Sequence, residues 1–314
     1  MMTTRGRIGI VVLLAAACVA PFWVSSFHTF QLTQIVVYAI ALLGLNLLTG
    51  YSGQISLGHG AFYGIGAYVA AILVSHGWLP YWAAVPAAGL VCLGVGFAFG
   101  LPALRLEGPY LALATFALAV ATPQILKHDR LEKWTGGVQG TLIDKPGSPF
   151  AGLFDGDQWL YFFCLAWLVA IYLATWNLVH GRTGRALVAI RDHPIAASTM
   201  GIDTALYKST TFGVSAMFTG VAGALGALLT GFVSPDSFTA AVSIYLLVGV
   251  VVGGVASVLG NLFGAVFIAV VPNIAEDISP DAPQVIYGAL LIAFILLMPR
   301  GVAGLVRSVA RRLR

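Results

Sequence analysis

Long apolar runs separated by short polar breaks organise this chain. They fall near residues 8–27, 31–49, 58–75, 82–101, 109–126, 159–179, 208–232, 241–256, 259–275 and 284–298. A helix of about 20 apolar residues crosses a hydrocarbon core. The runs are continuously apolar rather than alternating, so they do not follow the period of a transmembrane β-barrel. The pattern predicts an all-α polytopic membrane protein with about ten transmembrane helices in a single membrane domain, residues 1–314. Residues 241–271 read either as one long helix or as two broken ones, split near Ser257–Gly260.

One polar run interrupts this pattern. No Asp, Glu, Lys or Arg occurs from Ile8 to Leu104, yet Gly50-Tyr51-Ser52-Gly53-Gln54-Ile55-Ser56-Leu57-Gly58-His59-Gly60 lies inside that stretch. Glycine allows a non-helical break at membrane depth, and Gly60-x-x-x-Gly64 is a close-packing motif. Gly96/Gly100, Gly249/Gly253 and Gly260/Gly264 repeat the spacing. Two readings of Ser52, Gln54, Ser56 and His59 stand side by side. They line a water-filled translocation path, or they satisfy backbone groups freed by the break. A second polar run, Val233–Phe238, follows Gly231-Phe232 after the seventh segment, as the first follows the second segment. Ten spans would put the two runs at opposite faces. An inverted repeat of five plus five helices with broken helices gives that placement; chance gives it as readily.

Composition and charge sharpen the class. The chain is 59% hydrophobic and 9% charged, against roughly 25% charged residues in soluble domains. The net charge of +4 comes from basic residues beside the apolar runs, where membrane orientation explains them and nucleic acid is not implied. With the N-terminus inside and ten spans, twelve of the sixteen Lys and Arg fall on the inner side. Lys127, Arg130, Lys133 and Lys145 fall outside. The positive-inside rule therefore predicts both termini in the cytoplasm. Arg5-Gly6-Arg7 followed by Ile8–Ala20 reads as a first span or as a signal peptide; the remaining topology is the same in either case.

Two connections are long: 127–158, expected outside, and 180–207, expected in the cytosol. In the second, Leu187, Ile190 and Ile195 are spaced for a short helix, Pro194 can open a second helix, and Gly201 suits a C′ position. A short amphipathic pair at the inner surface would dock a cytosolic partner; a solvated basic loop held to anionic lipid is the plainer alternative.

Catalytic chemistry is not indicated. None of the four lysines follows a glycine, so no P-loop is present. Cys18, Cys92 and Cys164 lie in apolar runs without metal-type spacing, and the six histidines do not converge with acids in sequence. No cofactor is expected. The first five spans carry no buried acid of the kind an ion-coupled carrier uses.

Gly50–Tyr68 closely resembles the signature of branched-chain amino acid ABC transporter permeases. Four further stretches agree: Tyr110–Phe116, Thr135–Gly140, Gly184–Asp192 with Ala196, Ala197, Gly201 and Ile202, and Tyr287–Gly301 with its terminal Pro-Arg-Gly. The likeness spans about residues 31–305 and fits the larger of the two permease subunits. It implies a bacterial inner-membrane subunit that pairs with a second permease as a heterodimer. It further implies two cytosolic ATPase subunits, a periplasmic substrate-binding protein and transport by alternating access. By the same resemblance, 182–203 is the segment coupled to the ATPase, with Arg182, Arg185, Leu187, Ile190, Arg191, Ala196, Ala197 and Gly201 as its residues. His193-Pro194 departs from the family, where an acidic residue is frequent, and puts the polar contacts of that segment in doubt. Relatives with the same motifs move urea, short amides or other amino acids, so the substrate stays open. An ion-coupled secondary carrier is the alternative class.

Overall fold

A computed structural model describes residues 15–104, 106, 108–148, 154–278, 282–298 and 301–305. Eleven helices of six residues or more with named bounds organise the described residues: α1 Ser26–Asn46, α2 His59–Ser75, α3 Tyr81–Ala103, α4 Pro109–Leu126, α5 Gly156–His180, α6 Arg182–Asp192, α7 Pro194–Thr199, α8 Thr204–Thr230, α9 Ala240–Gly253, α10 Gly260–Ile278 and α11 Pro283–Leu297. Among the described residues, six helices are long and apolar enough to cross a membrane: α1 with its extension, α3, α4, α5, α8 and α10. Residues 59–75, 240–253 and 285–294 are apolar but shorter. The start of the first predicted span, residues 8–14, lies outside the described residues. Its middle, 15–19, is helical and leans on α5, where the Tyr161 hydroxyl donates to the Ala17 carbonyl at 2.9 Å.

α8 is the central post, because it is apolar on every side and edged with small residues. Gly213, Ala216, Gly220, Gly223 and Ala227 are buried along it. Without a hydrophobic drive between helices in lipid, such residues stabilise packing by letting backbones come close. A Cβ on Gly213 would stand 3.1 Å from the Leu93 carbonyl of α3, and one on Gly44 of α1 would stand 2.7 Å from the Ser215 carbonyl. Asp203 caps the start of α8 by accepting from the Leu206 amide at 2.9 Å. Gly231, at φ +69°, ends it.

The uncertain region after residue 240 consists of two helices. Gly254 (φ +111°) and Ala256 (φ +57°) turn the chain between α9 and α10. A non-glycine residue at positive φ is costly, and here it is held from three sides. The Asn46 carboxamide oxygen accepts from the Ala256 amide at 2.9 Å, its nitrogen donates to the Ser257 carbonyl at 3.1 Å, and the Tyr51 hydroxyl donates to the Ala256 carbonyl at 2.9 Å.

The predicted outer connection is not a bare loop. It contains a helical turn, Glu132–Thr135, and strand β1, Thr141–Leu142, which pairs antiparallel with β2, Phe232–Val233. The register sets Thr141 opposite Val233 and Leu142 opposite Phe232. This ribbon lies at one end of the bundle. α6 and α7 lie at the other.

Candidate functional site

The glycine-rich run begins where α1 loosens. Residues Leu47–Tyr51 wind as a π-helix, and π-turns inside helices frequently mark functional positions. The Ser52 amide donates to the Leu47 carbonyl at 3.3 Å and the Gln54 amide to the Leu48 carbonyl at 3.2 Å. Gly53 then takes φ +73°, a conformation that glycine adopts without steric cost. The chain stays non-helical until α2 starts at His59. His59 stands beside Ser215, seven residues along α8 from Lys208. At 1.5 Å rise per residue, α2 starts about 10 Å deeper than the Lys208 level.

The four sequence candidates separate into two pairs. Ser56 and His59 have no exposed surface and belong to a closed chain of hydrogen bonds. Ser56 Oγ lies 3.0 Å from His59 Nδ1, and His59 Nε2 lies 2.7 Å from Ser215 Oγ. Ser215 Oγ donates to the Gly44 carbonyl at 2.6 Å. Having spent its proton there, Ser215 accepts from His59 Nε2–H, and Nδ1 accepts from Ser56. The assignment makes His59 a neutral imidazole with both nitrogens engaged, a joint among α1, α2 and α8. Ser52 and Gln54 lie instead against a cavity of ≈170 Å³ at the α6–α7 end. Gln54 Nε2 donates to Ser52 Oγ at 2.8 Å and approaches the Lys208 carbonyl at 3.4 Å.

Two contacts fix the depth of α2. The Leu57 amide donates to Thr115 Oγ1 of α4 at 2.9 Å, and the Gly60 amide donates to Ser243 Oγ of α9 at 2.8 Å. The second contact joins the first turns of the two short helices, α2 and α9. Before α9 the chain forms a 3₁₀ turn, Pro235–Phe238. Phe238 packs on Gly64 and edge-on to Tyr68 at 6.0 Å between ring centroids. Lys127 at the end of α4 pairs with Asp236 in that turn at 2.5 Å.

The 182–203 segment forms two helices with a bend at His193 (φ −150°, ψ +86°), and Pro194 takes the first turn of α7. Leu187 and Ile190 are buried, as is Ala197. Ile195, which its spacing aligned with Leu187 and Ile190, points outward instead at 80% exposure, beside Met200 at 82%. The bend rotates α7 away from the α6 stripe. Gly201 (φ +82°) closes α7 with a Schellman pair, Ile202 amide to Ala197 carbonyl at 3.1 Å and Gly201 amide to Ser198 carbonyl at 3.0 Å. Arg182, Arg185 and Ala196 are exposed.

Arg191 ties this segment to the glycine-rich run. One guanidinium nitrogen donates to the Gly50 carbonyl at 2.9 Å, and Nε donates to Asp192 at 2.9 Å. A Cβ at Gly53 would stand 2.6 Å from Arg191 Cγ. Sequence reading passed over Asn46, Thr115, Lys208, Ser215 and Ser243. Isolated polar side chains on otherwise apolar helices are the signal that could have found them, because lipid-facing surface does not favour them.

Comparison with known proteins agrees with this architecture. The sequence model of the family described as "Branched-chain amino acid transport system / permease component" matches residues 28–295. The permease protein LivM of a high-affinity branched-chain amino acid transport system, from Salmonella typhimurium, is 33% identical over 97% of this chain and 76% of its own length; LivM from Escherichia coli K12 gives the same figures. The permease protein LivH from Escherichia coli K12 is 25% identical over 85% of this chain and 91% of its own length. No solved structure matches the chain. With its multi-pass helical fold, this chain belongs to the permease-component family of branched-chain amino acid transport systems.

Proposed function

We propose that this chain is the membrane-spanning permease subunit of an ATP-driven, binding-protein-dependent importer of branched-chain amino acids in a bacterial inner membrane. It pairs with a second permease subunit. Two cytosolic ATPase subunits hydrolyse ATP, and a periplasmic binding protein delivers substrate. The chain crosses the membrane ten times with both termini in the cytoplasm, and its two halves are an inverted repeat. Opposed placement of α2 and α9 supports the repeat. So do the matched packings, α3 on α8 and α10 on α1.

One observation carries the mechanism: Arg191 of α6 donates to the carbonyl of Gly50. Exposed Arg182, Arg185, Ile195, Ala196 and Met200 meet the ATPase, while Leu187, Ile190 and Ala197 hold the segment to the bundle. Gly201 closes α7 so that it moves as one piece. ATP-driven closure of the ATPases displaces α6 and α7, and Arg191 passes the displacement to the π-turn at Leu47–Tyr51. Ser52 and Gln54 then line the opening path. Ser56 and His59 keep the start of α2 seated on α8 as the run beside it moves.

Purified complexes reconstituted into liposomes test this. Leucine uptake should require both ATP and the ATPase subunits. Uptake that persists without the ATPases, or that collapses with an ion gradient while ATP is held constant, would overturn it. Leucine uptake that urea or a short amide suppresses at equal concentration would reassign the substrate.

A further inference from the structure

The described side chains that line the cavity beside the α6–α7 segment offer more hydrogen-bond donors than acceptors. Ser52 and Gln54 of the glycine-rich run, Arg191 of α6 and Lys208 of α8 form its polar wall; Ile55 and Leu111 contribute to its apolar one. Its described lining contains no carboxylate. Arg191 is already engaged with Asp192 and Gly50. Lys208 has no carboxylate partner among the described residues. Ser52, 3% exposed, receives a bond from Gln54, and its own proton has no acceptor among the described residues.

An ammonium with no carboxylate partner among the described residues and a buried hydroxyl donor beside aliphatic side chains suit one kind of occupant. That occupant carries anionic oxygen at one end and a hydrocarbon group at the other. We propose that this cavity is a cytosolic-side binding site for the carboxylate of an apolar α-amino acid, the product of import. The proposal rests on the importer reading and on the cytoplasmic placement of α6 and α7. Its consequence is regulatory. A bound product touches both Arg191 and the run from Ser52 to Ile55, so it holds the coupling segment against the run and slows the next cycle.

Labelling of the complete transporter in inside-out vesicles tests the site. Ile55→Cys is placed in a Cys18→Ser background and treated with a membrane-impermeant maleimide from the exposed cytosolic face. Millimolar L-leucine should slow the labelling, and leucinol, which lacks the carboxylate, should not. Lys208→Gln should raise the half-protecting concentration by about tenfold, the loss of one charge-assisted hydrogen bond; Lys208→Arg should retain protection. Equal protection by leucinol overturns the carboxylate assignment. Labelling suppressed by phosphatidylglycerol in leucine-free vesicles, but not in phosphatidylcholine, identifies a lipid headgroup as the occupant and also overturns it. Binding-protein-dependent leucine uptake by the unmodified complex separates the two levels. Uptake without protection defeats this site and leaves the importer reading standing; no uptake defeats the importer reading itself.

Discussion

At the scale of single residues, several buried polar side chains in this bundle connect one helix to another. His59 is the clearest case, since Ser56 and Ser215 occupy both ring nitrogens and Ser215 passes its own proton to Gly44. Replacing Ser215 by Ala leaves His59 Nε2–H and the Gly44 carbonyl without that partner. An unsatisfied buried group costs about 1–3 kcal/mol, so Ser215→Ala should lower the unfolding midpoint of the detergent-solubilised protein. His59→Ala should do the same, and the double variant should lose less than the two singles added, because both cut one chain. Additive losses would mean that the two side chains act independently. Glycine contacts give a second prediction of different origin. A Cβ on Gly66 would fall on the backbone of Gly220, which cannot rotate away as a side chain can. Gly66→Ala should therefore destabilise by about 1–3 kcal/mol through overpacking, with Gly94→Ala, which meets nothing within 4 Å, as the unaffected control in the same thermal assay.

At the scale of elements, what the sequence reveals depends on how local the cause is. α6 and α7 were legible because their determinants lie within one or two turns: Leu187 and Ile190 on one stripe, Pro194 at a first turn, Gly201 at a C′ position. The apolar segments were legible for the same reason. The π-turn at Leu47–Tyr51 was not, since Leu47 and Leu48 continue the apolar segment and no local spacing marks a widened turn. Nor was the β1–β2 ribbon, whose two-residue strands lie about ninety positions apart. Ile195 was misjudged because a periodic pattern does not register the rotation that His193 introduces. The tie between Arg191 and Gly50 also spans distant sequence. Under the proposed mechanism this contact gives α6 mechanical purchase on the run, which predicts a selective defect. Arg191→Ala should reduce leucine uptake about tenfold, the equivalent of one charge-assisted hydrogen bond of about 1.5 kcal/mol, while the complex still assembles and hydrolyses ATP. Equal loss of both activities would assign Arg191 to assembly rather than to coupling.

At the scale of the molecule, α2 and α9 explain why polar runs are tolerated inside an apolar bundle. Each helix is too short to span alone, at 17 and 14 residues, against about 20 for a full crossing. Irregular chain precedes α2 and a 3₁₀ turn precedes α9, and their first turns meet where the Gly60 amide donates to Ser243. Irregular backbone at membrane depth is stable only when protein or an aqueous cavity satisfies it. Here Thr115, Ser243 and Arg191 do so for the first run, and Lys127 and the β ribbon anchor the second. If the two halves are an inverted repeat, the runs must open to opposite sides of the membrane. Ile55 and Ser237 are both exposed, so each can carry a reporter. In a Cys18→Ser background, Ile55→Cys should react with an impermeant maleimide only in inside-out vesicles, and Ser237→Cys only in right-side-out vesicles. Reaction of both from the same side would break the inverted arrangement, and with it the mechanism in which an inner and an outer run open in turn.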